Sequence, residues 1–329
     1  MIPAPQIAAM APYALAQMEV PEGKRLVSLS QNESFRPPCP SAVAAMASGA
    51  DYPDPDWTAL RSAIGTVHGV DPAQVLCGAG SLDLIGALCR VYARPGRAVL
   101  TPAHAYPFFR SAAAMVGAPV QAVAERDYTA DLDAILAAVT DETALVCLAN
   151  PANPTGTRVP LAGISRLRDG LPEDVLLVLD EAYGEFADGL DAPSWPLVAR
   201  GNVVVLRTLS KAYGLAGARV GWGVFPDAVA AEVRKVLNPN GVPAASQAAA
   251  IAALGDQEYM RETVALTTRA RGAAVAKLRA MSVPVVESFT NFLLLPFGSA
   301  EEAARFDAGL RAEEIFLRPH DGAGLPHAL

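Results

Sequence analysis

A mainly parallel α/β sheet, covered by helices on both faces and followed by a smaller α+β unit, is predicted by three features of this 329-residue chain. Short apolar runs at 75–77, 98–100, 144–148, 175–179 and 203–206 alternate with stretches of helical periodicity. Hydrophobic residues make up 52% of the chain and charged residues 18%, enough apolar material for a large core and, at this length, for two domains. Polar clusters follow directly on the apolar runs, where ligands bind in sheets of this kind.

Residues 1–35 read as an irregular arm that contributes to a small domain, because Pro3, Pro5, Pro12 and Pro21 forbid a long helix. A short strand is expected at 27–30, leading into Asn32, whose residue type suits a turn. Ser41 is expected to cap a short helix to Met46, before a proline-punctuated loop that contains Tyr52. The large domain is expected over 36–243. Within it come a helix at 57–68, a strand at 75–77, the turn Gly78-Ala79-Gly80-Ser81 and a helix at 82–92. Strand, small-residue turn and helix together present backbone N–H groups and the positive end of a helix dipole to an anion.

The alternation then repeats. Strands are expected at 98–100, 119–123, 144–148, 175–179, 203–206 and 220–225, and helices at 106–116, 131–139, 160–168 and 226–237. After the punctuation Asn238-Pro239-Asn240-Gly241-Val242-Pro243, residues 244–329 read as an interdomain helix and a small C-terminal domain. The helix is expected to run from 244 to about 280, only weakly interrupted by Gly255 and Gly272. Paired strands at 283–287 and 291–295, a helix at 301–312 and a strand at 315–318 complete the unit.

The net charge of −8 argues against nucleic acid as the principal partner. No run of about 18 apolar residues is present, so no membrane span is expected. The four histidines form no HxxxH or HExxH pattern, so no metal site is expected. The four cysteines are scattered without a CxxC pair, which points to a cytoplasmic protein with buried thiols.

Chemistry gathers at four strand ends. Lys211 stands among hydroxyls and small residues in Thr208-Leu209-Ser210-Lys211, with Arg219 eight positions on. A lysine placed this way can form a Schiff base with an aldehyde. The aldehyde cofactor pyridoxal 5′-phosphate (PLP) needs such a lysine, an acid for its pyridine nitrogen, donors to its ring oxygen and a phosphate cup. Asp180 at the end of an apolar run suits the ring nitrogen, and Asn153 and Tyr183 suit the ring oxygen. Gly80, Ser81, Thr208, Ser210 and Arg219 suit the phosphate. Taken singly, each has an ordinary reading as a turn, a cap or a surface ion pair. Their joint occurrence, in order and at four strand ends, favours the site.

The segments NPANPTG, DEAY and RTLSKAYGLAGARVGW, with YPDP, GAGS and TNF in the same order, resemble the fold-type I PLP-dependent aminotransferases, in their histidinol-phosphate aminotransferase branch. The resemblance implies a seven-stranded mixed sheet and cofactor contacts from Ala79, Gly80, Ser81, Asn153, Asp180, Tyr183, Thr208, Ser210, Lys211 and Arg219. Lys211, Asp180 and Tyr183 would be catalytic. It also implies a homodimer with shared sites: Tyr52 would reach the cofactor phosphate of the other subunit, and Tyr13 the partner's substrate pocket. Asn32 and Arg318 would bind substrate. The expected reaction is transamination between a small-molecule amino donor and a 2-oxo acid such as 2-oxoglutarate, with Lys211 moving the proton. Phospho-amino-acid decarboxylation on the same scaffold and non-catalytic PLP binding stay open as alternatives.

Two departures from the family pattern stand out. Where the family has a tyrosine stacking on the ring, this chain has Pro102-Ala103-His104, which places His104 over the cofactor with Tyr106 as the alternative. The family's substrate-carboxylate arginine, which follows a segment like the final Gly324-Leu325-Pro326-His327-Ala328-Leu329, has no counterpart here. The expectation is a chain shortened from a longer parent, because stopping inside a strand pairing would expose an edge.

Overall fold

The apolar runs become the middle of one sheet. In the computed structural model, which describes residues 2–11, 27–47 and 51–329, β5 (Thr143–Ala149), β6 (Leu176–Asp180) and β7 (Val203–Thr208) are buried at every position. Successive side chains point to opposite faces of a sheet, so burial at every position requires cover on both. Each fully buried Val or Leu in these strands contributes roughly 1.5–3 kcal/mol.

Around this centre lie β2 (Val75–Gly78), β3 (Ala98–Pro102), β4 (Val120–Val123) and β8 (Gly221–Val224), in the order β2-β8-β7-β6-β5-β3-β4. All run parallel except β8, which is antiparallel to both β2 and β7. The result is a mixed, mainly parallel seven-stranded sheet, as expected from the resemblance. The carboxyl ends of β2, β3, β5, β6 and β7 therefore share one edge, and β8 starts from it.

The covering helices are α3 (Thr58–His68), α4 (Ser81–Tyr92), α5 (Pro107–Met115), α6 (Leu132–Ala138), α7 (Leu161–Gly170) and α8 (Asp227–Arg234). Helix α4 packs on β2, β5, β7, β8 and α5, while α6 packs on β3, β4 and α7. Caps mark several starts: Asp131 accepts from Ala134 N–H at 3.1 Å and Ser299 Oγ accepts from Glu302 N–H at 3.2 Å. Ser41 lies inside its helix (Pro40–Ala45) instead of capping it. Cys39 occupies the cap position because Pro40, with its fixed φ, takes the first helical position.

The second half departs from expectation in two places. The 244–280 helix is two helices, Ala244–Gly255 and Gln257–Ala280, divided at Asp256. The Asp256 backbone is non-helical (φ −108°, ψ 67°) and its carboxylate accepts from Tyr259 N–H at 3.1 Å, capping the second helix. The expected strand pair at 283–287 and 291–295 is not a ladder; one bond, Val286 N–H to Leu294 O at 3.0 Å, joins the two segments. The chain beyond it pairs instead with the last residues. Leu295 and Leu329 exchange both backbone bonds (2.9 and 3.2 Å), and Phe297 N–H donates to His327 O at 2.8 Å. Helix Ala300–Ala312 and the short strands Val27–Ser28 and Ile315–Phe316 follow expectation; that the two strands pair with each other, in parallel, is a finding of the structure. Leu295, Phe297, Ala303 and Leu329 form a small core separate from that of the sheet.

Among the described residues no helix is long and apolar enough to cross a membrane, and no group of His, Cys, Asp and Glu is arranged to hold a metal ion.

Candidate active site

A cavity of about 340 Å³ opens at the shared carboxyl edge of the sheet. Four strand ends deliver polar groups to it. Asp180 is the last residue of β6, with Tyr183 three residues on. Pro151 and Asn153 follow β5. Thr208 ends β7 and is followed by Ser210 and Lys211. Ser81 begins α4, directly after β2. Four motifs that are far apart in sequence meet here because parallel strands all end on one edge.

Lys211 Nζ donates to the backbone oxygen of Asn32 at 3.0 Å and lies 5.6 Å from the centre of the Tyr183 ring. Burial, and then the positive charge of Arg219, push its ammonium down to about 8; Glu33 and Asp180 oppose the shift. Arg318, which does not line the cavity, adds to the lowering, and its Nη1 reaches Ser30 O at 3.5 Å. Asp180 is 4% exposed and accepts from Ala182 N–H at 3.1 Å. Burial pushes its carboxyl up to about 7, against the Ala182 N–H and Lys211, while the neighbouring Glu181 adds to the rise. The Tyr183 hydroxyl accepts from Asn32 Nδ2 at 3.2 Å and from Asn153 Nδ2 at 3.5 Å, and Phe292 meets its ring edge-on.

On the opposite wall Thr208, Ser210 and Arg219 form a cup with the start of α4. Thr208 Oγ1 donates to Ser210 Oγ at 2.9 Å, and Arg219 Nη1 approaches the same oxygen at 3.4 Å. Arg219 is held in the left-handed region (φ 54°, ψ 58°), a conformation costing a non-glycine residue about 1–2 kcal/mol. Its Nη2 donates to Ala79 O at 3.4 Å and lies over Gly80. Gly221, opposite Gly78 at the start of β8, completes the cup: a Cβ there would run into Ser81 N and Gly80 C. Because those atoms are backbone, they cannot rotate away. Gly221→Ala is expected to cost about 2–3 kcal/mol and to loosen the anion cup. Denaturant melts and an inorganic phosphate titration check this, and a variant matching the parent in both would refute it.

The cavity suits the aldehyde cofactor inferred from the motifs. An amine shifted towards its neutral, nucleophilic form shares the cavity with a buried carboxyl that makes no salt bridge among the described residues, and an anion cup lies beside them. Covalent capture would relieve the first and a protonated ring nitrogen the second.

The sequence-based candidates are not all in this cavity. His104 does not line it; Tyr106 does. The His104 ring turns to the C-terminal segment and to Glu125, with Nδ1 2.9 Å from Ala323 O and Nε2 3.9 Å from Glu125. Pro107 starts α5 immediately after Tyr106, and this turn brings Tyr106 to the wall. Tyr52 is 88% exposed on the surface, away from the cavity. Tyr13 lies outside the described residues. Asn291 was not singled out beforehand, yet its Nδ2 ties Asn32 O and Glu33 O at 3.0 and 3.2 Å; its place in Thr290-Asn291-Phe292 was the available signal.

Comparisons with known proteins agree with this geometry. The family model described as aminotransferase class I and II matches residues 24–329. The histidinol-phosphate aminotransferase of Ruegeria sp. (strain TM1040) is 41% identical over 331 residues, 99% of this chain and 91% of that protein. That of Dinoroseobacter shibae is 42% identical over 332 residues, 99% of this chain and 92% of the relative. The crystal structure of histidinol-phosphate aminotransferase from Sinorhizobium meliloti, in complex with pyridoxal-5′-phosphate, superposes with a TM-score of 0.91 at 33% identity, covering 98% of this chain and 90% of that one. Aspartate aminotransferase from Thermus thermophilus shares the fold, with a TM-score of 0.84 at 20% identity, covering all of this chain and 94% of its own. With the family model spanning most of its length and relatives above 40% identity along nearly all of it, the chain belongs to the class I and II aminotransferases.

Proposed function

We propose that this chain is a PLP-dependent aminotransferase whose amino donor is histidinol phosphate and whose acceptor is 2-oxoglutarate. The observation that carries the chemistry is the placement of a half-buried amine and a buried carboxyl, Lys211 and Asp180, on the wall of one cavity, and burial moves the first down to about 8 and the second up to about 7. The donor follows from the relatives, which carry the name histidinol-phosphate aminotransferase at 41% and 42% identity.

Bound PLP supplies an electron sink for the substrate's Cα–H bond. Lys211 captures the cofactor and, once displaced by the donor amine, takes the proton from the substrate Cα as general base. Asp180 holds the proton on the ring nitrogen. Tyr183, oriented by Asn32 and Asn153, donates to the ring oxygen. Thr208, Ser210, Arg219 and the first turn of α4 bind the cofactor phosphate. Tyr106 covers one ring face, in place of His104. Asn32 and Arg318 serve the substrate side. The protein works as a homodimer in the cytoplasm: an 88%-exposed Tyr52 suits contact with a second subunit, and four buried free thiols suit a reducing compartment.

The test is a half-reaction without acceptor. Loaded protein mixed with histidinol phosphate should lose its visible cofactor absorption at least about 100-fold faster than with phenylalanine or aspartate, releasing the keto product and no CO2. CO2 release, or no spectral change with any amine, would overturn the assignment.

A further inference from the structure

On the far face of the sheet, directly behind Asp180 and Thr208, sits a charged cluster that the chemistry above leaves unused. Side chains alternate along a strand, so Asp180 and Thr208 face the reaction cavity while Glu181 and Arg207 face a second cavity of about 410 Å³. Arg207 is 4% exposed and meets three carboxylates. Its Nε donates to Glu181 Oε2 at 3.0 Å, and Nη1 and Nη2 donate to Asp188 Oδ2 and Oδ1 at 3.2 and 2.9 Å. Glu185 Oε1 lies 3.3 Å from Nη1. Trp195 presents its ring 5.1 Å from the guanidinium carbon, and Gly184 packs so closely on the guanidinium that a Cβ would collide with it.

Three carboxylates around one guanidinium leave an excess of negative charge. Burial pushes Glu185 up to about 7, so the cluster holds a proton there near neutrality. His68, which also faces the cluster, is pushed down to about 4 by burial and then by Arg207, and stays neutral. The Tyr213 hydroxyl faces the same group and is raised, chiefly by burial. Among the described residues, Arg207 is the cation that Glu181 pairs with.

The cluster is mechanically joined to the reaction cavity. Strands β6 and β7 are paired at Asp180 and Leu206, and Glu181 N–H donates to Leu206 O at 2.9 Å. Arg207 thus ties β7 to the residue that ends β6. Asp180 is one peptide bond from Glu181, Thr208 is one from Arg207, and Lys211 is four residues beyond Arg207. The tie is also electrical. Burial raises Asp180 most, and Glu181 is the carboxylate whose charge adds to that rise, while the Ala182 N–H and Lys211 act the other way.

We infer that Arg207 is a positioning residue for the reaction: holding Glu181 from the far face of the sheet, it sets the Asp180 carboxylate against Lys211 and neutralises the nearest negative charge. This rests on the PLP-dependent reading above. Two opposite effects follow. Removing the guanidinium exposes Asp180 to the full charge of Glu181 and makes it a weaker partner for the ring nitrogen. Removing the Glu181 charge does the reverse.

The experiment uses loaded Arg207→Met, Arg207→Lys and Glu181→Gln proteins. It measures cofactor content, kcat and KM for the amino donor, and the pH midpoint of the visible absorption of bound PLP. Arg207→Met should lower kcat by about tenfold or more, with KM changed by less than about threefold, as expected for a misplaced group. Its spectral midpoint should move one way and that of Glu181→Gln the other, while Arg207→Lys should recover part of kcat. Should Arg207→Met not fold, Arg207→Lys and Glu181→Gln still carry the test through their midpoints. Folded variants with parental kcat and midpoint, or midpoints that move together, would overturn the inference and leave Arg207 a structural ion pair. A parent protein without the visible band would instead overturn the PLP reading, and is recognised before any variant is made.

Discussion

Lys211→Ala protein, purified and mixed with PLP, is expected to show no visible absorption from covalently held cofactor and to transaminate on the order of 10⁴-fold more slowly than the parent. Two roles are lost with one nitrogen: attachment of the cofactor and transfer of the proton from the substrate Cα. Among the described residues no other amine replaces it, since Lys211 is the lysine lining the cavity. The surroundings of Nζ make a second part of this prediction. With its ammonium lowered to about 8, roughly one lysine in ten is neutral at pH 7, against about one in three thousand for an ordinary side chain. Only the neutral amine attacks an aldehyde. Capture of PLP by the empty parent protein should therefore accelerate with pH up to about 8 and then level off. Stopped-flow mixing at several pH values reads this directly. A rate still climbing steeply at pH 10 would show an ordinary solvated lysine, and an unchanged spectrum in Lys211→Ala would remove the residue from the chemistry altogether.

The gathering of polar residues at this cavity was legible in the chain because its parts are local. Each polar cluster follows an apolar strand within a few residues, and the parallel arrangement carries all the ends to one edge. The parts that were not legible depend on distant partners. The 244–280 stretch is alanine-rich on both sides of Asp256, and Gly255 costs a helix only about 1 kcal/mol, so the break becomes visible through the Asp256–Tyr259 cap. The extended segment around Leu295 has two candidate partners in the chain, the nearby 283–287 and the remote Leu329, and a hydrophobic pattern cannot choose between them. His104 and Tyr106 flank a turn whose direction is set by Pro107 and by Ala323, more than two hundred residues away. Arg207 stands beside the most informative motif yet shows no sign of its partners: Glu181, Glu185 and Asp188 belong to another strand and its loop, on the face opposite the motif's own.

Asp180→Asn should separate what this carboxyl does for catalysis from what it costs the fold. An amide cannot hold the ring nitrogen as a cation, so the transamination rate is expected to fall about 10²–10³-fold, the scale for losing one preorganised electrostatic partner. Stability of the empty protein should move the other way. The Asp180 carboxyl is raised in the folded state to about 7 from an ordinary 3.8, so over that interval the native form binds more protons than the unfolded one. Its contribution is fully present below pH 3.8 and is lost as pH rises through about 7, a decline of roughly 2–4 kcal/mol. Asn has no such titration. The melting temperature of empty Asp180→Asn should therefore overtake that of the parent progressively between pH 4 and 7. Adding PLP should reverse the order at pH 7, because the cationic ring nitrogen gives the parent carboxylate the partner it lacks. Thermal melts of both proteins, empty and loaded, across this range test the two halves together. A variant that keeps its rate within threefold, or a melting difference independent of pH, would show that the buried carboxyl carries neither the predicted catalytic role nor the predicted strain. The cost of Asp180 to the empty fold and its use in the loaded one share one physical origin, a carboxylate buried ahead of the cation it is there to meet.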